Sequence, residues 1–169
     1  GYALAEARPD TLVTFGIRPT EPATGYGYLQ LGEKIAGDWG EAFLLDQFKE
    51  KPDVDTARRY LEAGPEAYLW NSGMFVWRAA TLMDCLRRFA PENHQGLKRI
   101  ADAPPGEQRE RAIEDVYPTL PKISVDFAVM EPASRDDQVD VAALPMPVQW
   151  LDVGSWTSYA ATCTTDDAG

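Results

Sequence analysis

Glu50 and Lys51 stand side by side in Phe48-Lys49-Glu50-Lys51-Pro52, just where the apolar run Ala42-Phe43-Leu44-Leu45 has stopped. A lysine ammonium is a compact point charge that suits a phosphate. A carboxylate suits Mg²⁺, which prefers hard oxygen ligands, and Asp152 in Trp150-Leu151-Asp152-Val153-Gly154 offers one. Two more places share their setting beside β-like runs: the bend at Gly25 in Thr24-Gly25-Tyr26-Gly27-Tyr28, and Asn71-Ser72-Gly73. The chemistry such residues fit is the joining of two phosphates. That reaction forces anions together, so its catalysis is mainly alignment plus charge neutralisation. The attacking group is already an ionised oxygen, and no Ser, Cys or His nucleophile is required.

Each place also has a plain structural account. Gly25 and Gly27 permit a tight turn, and Glu50 with Lys51 are solvent charges at a strand end. Asn71-Ser72-Gly73 is a bulge or a turn held by side chains. Asp152 neighbours a helix start, although Ser155 is the better cap. Their occurrence together, in order and at strand ends, favours the shared site. Adjacent side chains of a strand point to opposite sides, and Pro52 biases Lys51 towards an extended backbone. Glu50 and Lys51 are therefore expected to address different sides of one ligand lying across the strand end.

The elements that must position them alternate. Thr11 to Ile17 is rich in β-formers and stopped by Arg-Pro-Thr-Glu-Pro. A second strand opens after the Gly25 bend, and residues 42–49 make a third. Asp53 or Asp55 caps the helix that follows, with Val54, Ala57 and Leu61 on one face and Gly64 just past its end. Tyr68 to Trp77 reads as an aromatic strand broken at Asn71-Ser72-Gly73. Leu82, Leu86 and Phe89 recur at helical spacing, Pro91 opens another helix, and Glu107 to Val116 makes a polar one. A short helix covers Asp126 to Glu131, started by capping from Ser124 or Asp126. A strand covers Val139 to Leu144, another ends at Trp150 to Gly154, and a last helix lies near 155–163. Strands interleaved with helices indicate an α/β layered fold, in which ligands sit beyond strand carboxyl ends.

Composition narrows the field further. The chain has 169 residues, 44% hydrophobic content and a formal net charge of −11, enough for a sizeable core. That charge argues against nucleic acid or an anionic membrane as the main partner, yet leaves room for one small phosphorylated ligand. No stretch approaches the roughly 18 apolar residues of a membrane span. Cys85 and Cys163 are too far apart for a metal or redox motif, and two free thiols in a reducing cytoplasm are expected. His94 is the one histidine, and no G-x-S-x-G, Walker loop or complete dinucleotide fingerprint occurs.

The segments TFGIRPTEPATGYGYLQLGE, FKEKP, YLWNSGMFVWRAATLMDCLRRFAPE, ISVDFAVME and WLDVGSW, in this order, resemble the sugar-1-phosphate nucleotidylyltransferases, and among them the mannose-1-phosphate guanylyltransferase branch. The resemblance runs from about residue 12 to residue 160. It implies an α/β fold, namely the sugar-phosphate-binding half of a Rossmann-like nucleotidyltransferase with a mixed β-sheet flanked by helices. It also implies transfer of GMP from GTP to mannose 1-phosphate, releasing pyrophosphate and giving GDP-mannose. In that scheme Gly25 lies against the hexose, and Glu50 and Asn71 contact its hydroxyls. Lys51 pairs with the sugar phosphate, and Asp152 holds Mg²⁺ bridging the reacting phosphates. The glycine-rich G-x-G-x-R-L loop that binds the nucleotide in this family does not occur in the sequence. Residues 1–169 are accordingly expected to be a partial domain that does not turn over GTP alone and that self-associates through an apolar patch or an unpaired strand edge. Another sugar-1-phosphate nucleotidylyltransferase is the near alternative. A non-catalytic sugar-phosphate-binding or regulatory module is the distant one.

Overall fold

The computed structural model describes residues 1–148, 150, 151, 153, 154, 156–160, 162 and 163. Among the described residues five strands carry the fold: β1 (Thr11–Ile17), β2 (Tyr28–Lys34), β3 (Phe43–Lys49), β4 (Tyr68–Val76) and β5 (Asp140–Met146). β1 is buried along nearly its whole length, as its run of β-branched and aromatic residues requires. It pairs in parallel with β5, Thr11 facing Asp140 and Ile17 facing Met146, and antiparallel with β4. The antiparallel pairs β4–β2 and β2–β3 continue the sheet. Phe43 and Leu44 of β3 then meet Ala143 and Ala142 of β5, which closes the five strands into a barrel. The α/β class and the mixed sheet are as expected. The closure is not, and it reduces the unpaired strand edge that the sequence reading allows to the later residues of β3.

Helices surround this sheet. α1 (Tyr2–Ala7) packs Leu4 and Ala5 with Val13, Ile35, Ala42 and Ala142, a layer the sequence reading does not include. α2 (Val54–Ala63) begins where Asp53 Oδ1 accepts from Thr56 N at 2.8 Å and stops at Gly64, whose φ is 86°. That hydrogen bond to the Thr56 amide holds the Asp53 carboxyl below its ordinary value. α3 (Ala79–Phe89) lays Leu82, Leu86 and Phe89 against the largest core cluster, around Leu12, Leu29, Phe48 and Val129. α4 (Pro91–Asp102) starts on its proline, and α5 (Glu107–Val116) is mostly solvated.

One expectation fails here. No described residue from 147 to 154 is in a strand; β5 ends at Met146, and the last helix is only Trp156–Ala160. Pro145 and Pro147 lack the N–H groups a continuing ladder would need. β4 is one strand, and its break at Asn71-Ser72-Gly73 is the bulge that the sequence reading offers as one account. Its pairing with β1 slips so that Ser72, Gly73 and Met74 together oppose Phe15, and Gly73 takes a φ of 72° there. The Asn-Ser-Gly signal marks a bulge. Among the described residues no helix is long and apolar enough to cross a membrane.

Candidate functional site

Strand register alone brings three distant residues together. Tyr28 faces Lys49 on one side and Trp70 on the other, so one step earlier in β2 the chain lies between Glu50 and Asn71. That step is Gly27, whose carbonyl accepts from Asn71 N at 2.8 Å. Paired residues project to the same face of a sheet, and Glu50 and Asn71 fill the space a side chain at 27 would need. A Cβ built there would sit 2.6 Å from Glu50 Oε2 and 3.3 Å from the Asn71 Cβ. At Gly25 a Cβ would meet nothing within 4 Å. The glycine squeezed by the fold is therefore Gly27, whereas Gly25 borders open space.

Gly25, Tyr26, Gly27, Glu50, Asn71, Ser72, Gly73, Asp126 and Trp150 line one hollow of ≈ 190 Å³. Tyr26, which lines it, packs edge-on against the buried Trp70 at 5.0 Å and against Trp150 at 5.3 Å between ring centroids. Glu50 is only 6% exposed, and a buried carboxylate is costly unless paired. Lys51 supplies the pairing, with Nζ donating to Glu50 Oε1 at 2.9 Å. The Lys51 side chain itself stays 55% exposed and is not among the residues that line the hollow, which it meets through Glu50. The Glu50 hydrogen bond first, then its charge and that of Asp126, hold the Lys51 ammonium above the ordinary lysine value.

This geometry corrects the expected arrangement of the pair. β3 ends at Lys49, and Lys51 has a φ of 44°, in the left-handed region. The two side chains do not diverge across an extended strand; the backbone turns, and their charged ends meet. A non-glycine residue in that conformation costs on the order of 1–3 kcal/mol and persists where its surroundings over-determine it. Here Glu131 Oε2 accepts from Glu50 N at 3.4 Å, the Lys51 head is tied to Glu50, and Pro52 is buried.

Asn71 is 8% exposed and its amide is fully oriented. Oδ1 accepts from Thr14 Oγ1 at 2.8 Å and from Gly73 N at 3.3 Å, while Nδ2 donates to Asp126 Oδ1 at 3.1 Å. Asp126 is thus part of the hollow. Sequence reasoning sets it aside as a helix cap, yet no side-chain capping bond starts that turn. Its place in the ISVDFAVME segment is the available signal. Asp152 lies outside the described residues. Among those described, no group of three or more His, Cys, Asp or Glu side chains comes close enough to hold a metal. Cys85 is buried and Cys163 exposed, both free.

The nucleotidyl transferase family model matches residues 2–168. The xanthan biosynthesis protein XanB of Xanthomonas campestris pv. campestris (strain B100) is 40% identical over 174 residues, covering 99% of this chain and 33% of that protein. The mannose-1-phosphate guanylyltransferase of Escherichia coli (strain K12) is 40% identical over 158 residues, covering 92% of this chain and 32% of that protein. The chain thus spans about a third of the length of these curated relatives. Among solved structures, one described as mannose-1-phosphate geranyltransferase from Thermus thermophilus superposes with a TM-score of 0.71 at 33% identity, over 98% of this chain and 45% of that one. A Helicobacter pylori structure described as mannose-6-phosphate isomerase shares the fold, at a TM-score of 0.61 and 24% identity, over 89% of this chain and 57% of that one. With a family match over nearly its whole length and this likeness in sequence and fold, the chain belongs to the nucleotidyl transferase family.

Proposed function

We propose that residues 1–169 form the sugar-phosphate-binding side of an enzyme that transfers GMP from GTP to mannose 1-phosphate. In that reaction a phosphate oxygen of mannose 1-phosphate bonds to the α-phosphorus of GTP as the bond to pyrophosphate breaks. The observation that carries the reading is the single hollow that joins the Gly25 bend, the buried Glu50 carboxylate and the Asn71 amide, with the Lys51 ammonium held on that Glu50 carboxylate. Glu50 and Asn71 would bind hexose hydroxyls, the first as acceptor and the second through the amide hydrogen that Asp126 does not take. Gly25 leaves room for the ring. Lys51 would neutralise and aim the sugar phosphate. The guanine nucleotide would be held mainly by a G-x-G-x-R-L segment, which this sequence does not contain.

Mg²⁺ usually binds through one or two carboxylates, water and substrate phosphates and not through an all-protein cage. Asp152 would hold it, and the chain reaches the hollow at Trp150, two residues earlier in the sequence. The metal would neutralise charge on the reacting phosphates. A cytoplasmic location agrees with the two free thiols. Self-association would use the apolar surface bearing Tyr117, Ile123 and Phe127, which are 62%, 48% and 45% exposed; light scattering at high concentration reports it.

Calorimetric titration with mannose 1-phosphate tests the central assignment. Lys51→Ala should weaken binding by about 1–3 kcal/mol, the scale of one charged hydrogen bond, and should weaken the binding of unphosphorylated mannose by less. Equal affinity of parent and variant for mannose 1-phosphate removes Lys51 from the phosphate role.

A further inference from the structure

Two acidic side chains that the reaction does not itself require grip the two walls of the hollow from one short segment. The chain from Asp126 to Met130 forms a π-helical turn and passes into the helical turn Glu131–Ala133. In an α-helix, residues five apart are turned about 140° from each other. A π turn bonds i to i+5 and brings them nearly one above the other. That bond is present, with Glu131 N donating to Asp126 O. Asp126 and Glu131 consequently reach the same end of the sheet. Asp126 Oδ1 takes the Asn71 amide on β4. Glu131 Oε2 takes the Glu50 N–H at the end of β3, and its Oε1 takes Lys49 Nζ at 3.4 Å and the Arg135 guanidinium at 2.7 Å.

The β3 edge explains why such a grip is needed. β5 pairs with β3 only at Phe43 and Leu44, so the later N–H groups on that edge have no strand beside them. Phe48 N instead donates to Ser134 Oγ at 2.9 Å and Glu50 N donates to Glu131. These are alternate residues, as the edge of one strand presents them. The Asn71 side is equally determined. A flipped amide would set Nδ2 against the Gly73 N–H and Oδ1 against the Asp126 carboxylate, both repulsive contacts. Asp126 therefore fixes the direction in which the remaining Asn71 N–H points.

We propose that Asp126 and Glu131 are positioning residues of the sugar-phosphate hollow. Asp126 sets the facing of the Asn71 amide, Glu131 sets the backbone that presents Glu50 and Lys51, and the π turn between them fixes the distance from one wall to the other. This rests on the sugar-phosphate reading of the hollow, but its structural half is testable with no ligand at all.

The test uses four variants, Asp126→Ala, Asp126→Asn, Glu131→Ala and Glu131→Gln, with thermal melts to confirm folding. In the free protein, Asp126→Ala should shift the two side-chain amide protons of Asn71 towards equivalence in ¹⁵N–¹H spectra, and Asp126→Asn, which still offers an acceptor, should largely retain their separation. Glu131→Ala should lower hydrogen-exchange protection of the Glu50 amide about tenfold, with Glu131→Gln close to the parent. Mannose 1-phosphate should bind about tenfold more weakly to each alanine variant and within about threefold of the parent to Asp126→Asn. In an Asn71→Ala background Asp126→Ala should add nothing, because it acts through that amide. Unmoved Asn71 signals in Asp126→Ala, or its full binding loss persisting without Asn71, overturn the role of Asp126. Unchanged Glu50 protection in Glu131→Ala overturns that of Glu131. If the parent itself does not bind mannose 1-phosphate, the proposed function fails while the amide signals still decide the positioning claim.

Discussion

Gly25 and Gly27 are near neighbours that ask opposite things of a side chain. At Gly25 an added methyl enters open space and the backbone φ is ordinary, so Gly25→Ala should leave stability within about 0.5 kcal/mol of the parent. Its affinity for mannose 1-phosphate should fall, because the methyl projects where the hexose is proposed to lie. At Gly27 the methyl meets Glu50 Oε2 at 2.6 Å. The carboxylate must swing away from Lys51, so Gly27→Ala should lose affinity and also about 1–3 kcal/mol of stability, the usual cost of overpacking. Urea midpoints measured beside ligand titrations separate the two; matching stability losses would contradict the geometry. The Gly-Tyr-Gly pattern announces a bend but cannot say which glycine is squeezed, since Glu50, far along the chain, decides it. Lys51 teaches the same lesson in reverse. Its neighbour Pro52 favours an extended backbone, and the tie to Glu50 together with the Glu131 contact overrides that preference.

Elements with their own punctuation are legible in the sequence. Pro91 starts α4, Gly64 follows α2, Asp53 caps it, and the β-branched run of β1 coincides with the strand. What stays hidden depends on partners distant in sequence: the Phe43–Ala143 seam that closes the barrel, and the π turn whose acidic residues serve other elements. The end of β3 shows a consequence of that dependence. Burial raises the pKa of Glu131, but the Glu50 amide, Lys49 and Arg135 outweigh it and hold the carboxyl below the ordinary glutamate value of 4.5. With the folded value below the unfolded one, the unfolded chain takes up protons first as pH falls. The stabilisation is therefore complete above that ordinary value and drains away as pH drops through the lower folded one. Glu131→Gln lacks this titration while keeping an acceptor for Glu50 N. Its urea midpoint should lie below the parent's at about pH 6 and approach it by about pH 3. A gap that stays constant over that range would dissociate Glu131 from the acid response.

At the scale of the whole molecule, one lysine is proposed to hold a phosphate on a chain whose formal net charge is −11. Even its nearest charged neighbours, Glu50 and Asp126, are acidic. Such a site differs from a basic patch in how it answers to salt. A basic patch attracts anions over a distance, and salt weakens it. Here the attraction is one short contact at the hollow, whereas the repulsion is spread over the surface. The screening length falls from about 30 Å at 0.01 M to about 10 Å at 0.1 M salt, which suppresses the diffuse repulsion well before a contact of hydrogen-bond length. Affinity for mannose 1-phosphate, measured in metal-free buffer, should therefore rise between those two salt concentrations, and neutral mannose should show no trend. Affinity that falls with salt would mean that further cations surround the phosphate, and the balance drawn here between Lys51 and the acidic surface would be wrong.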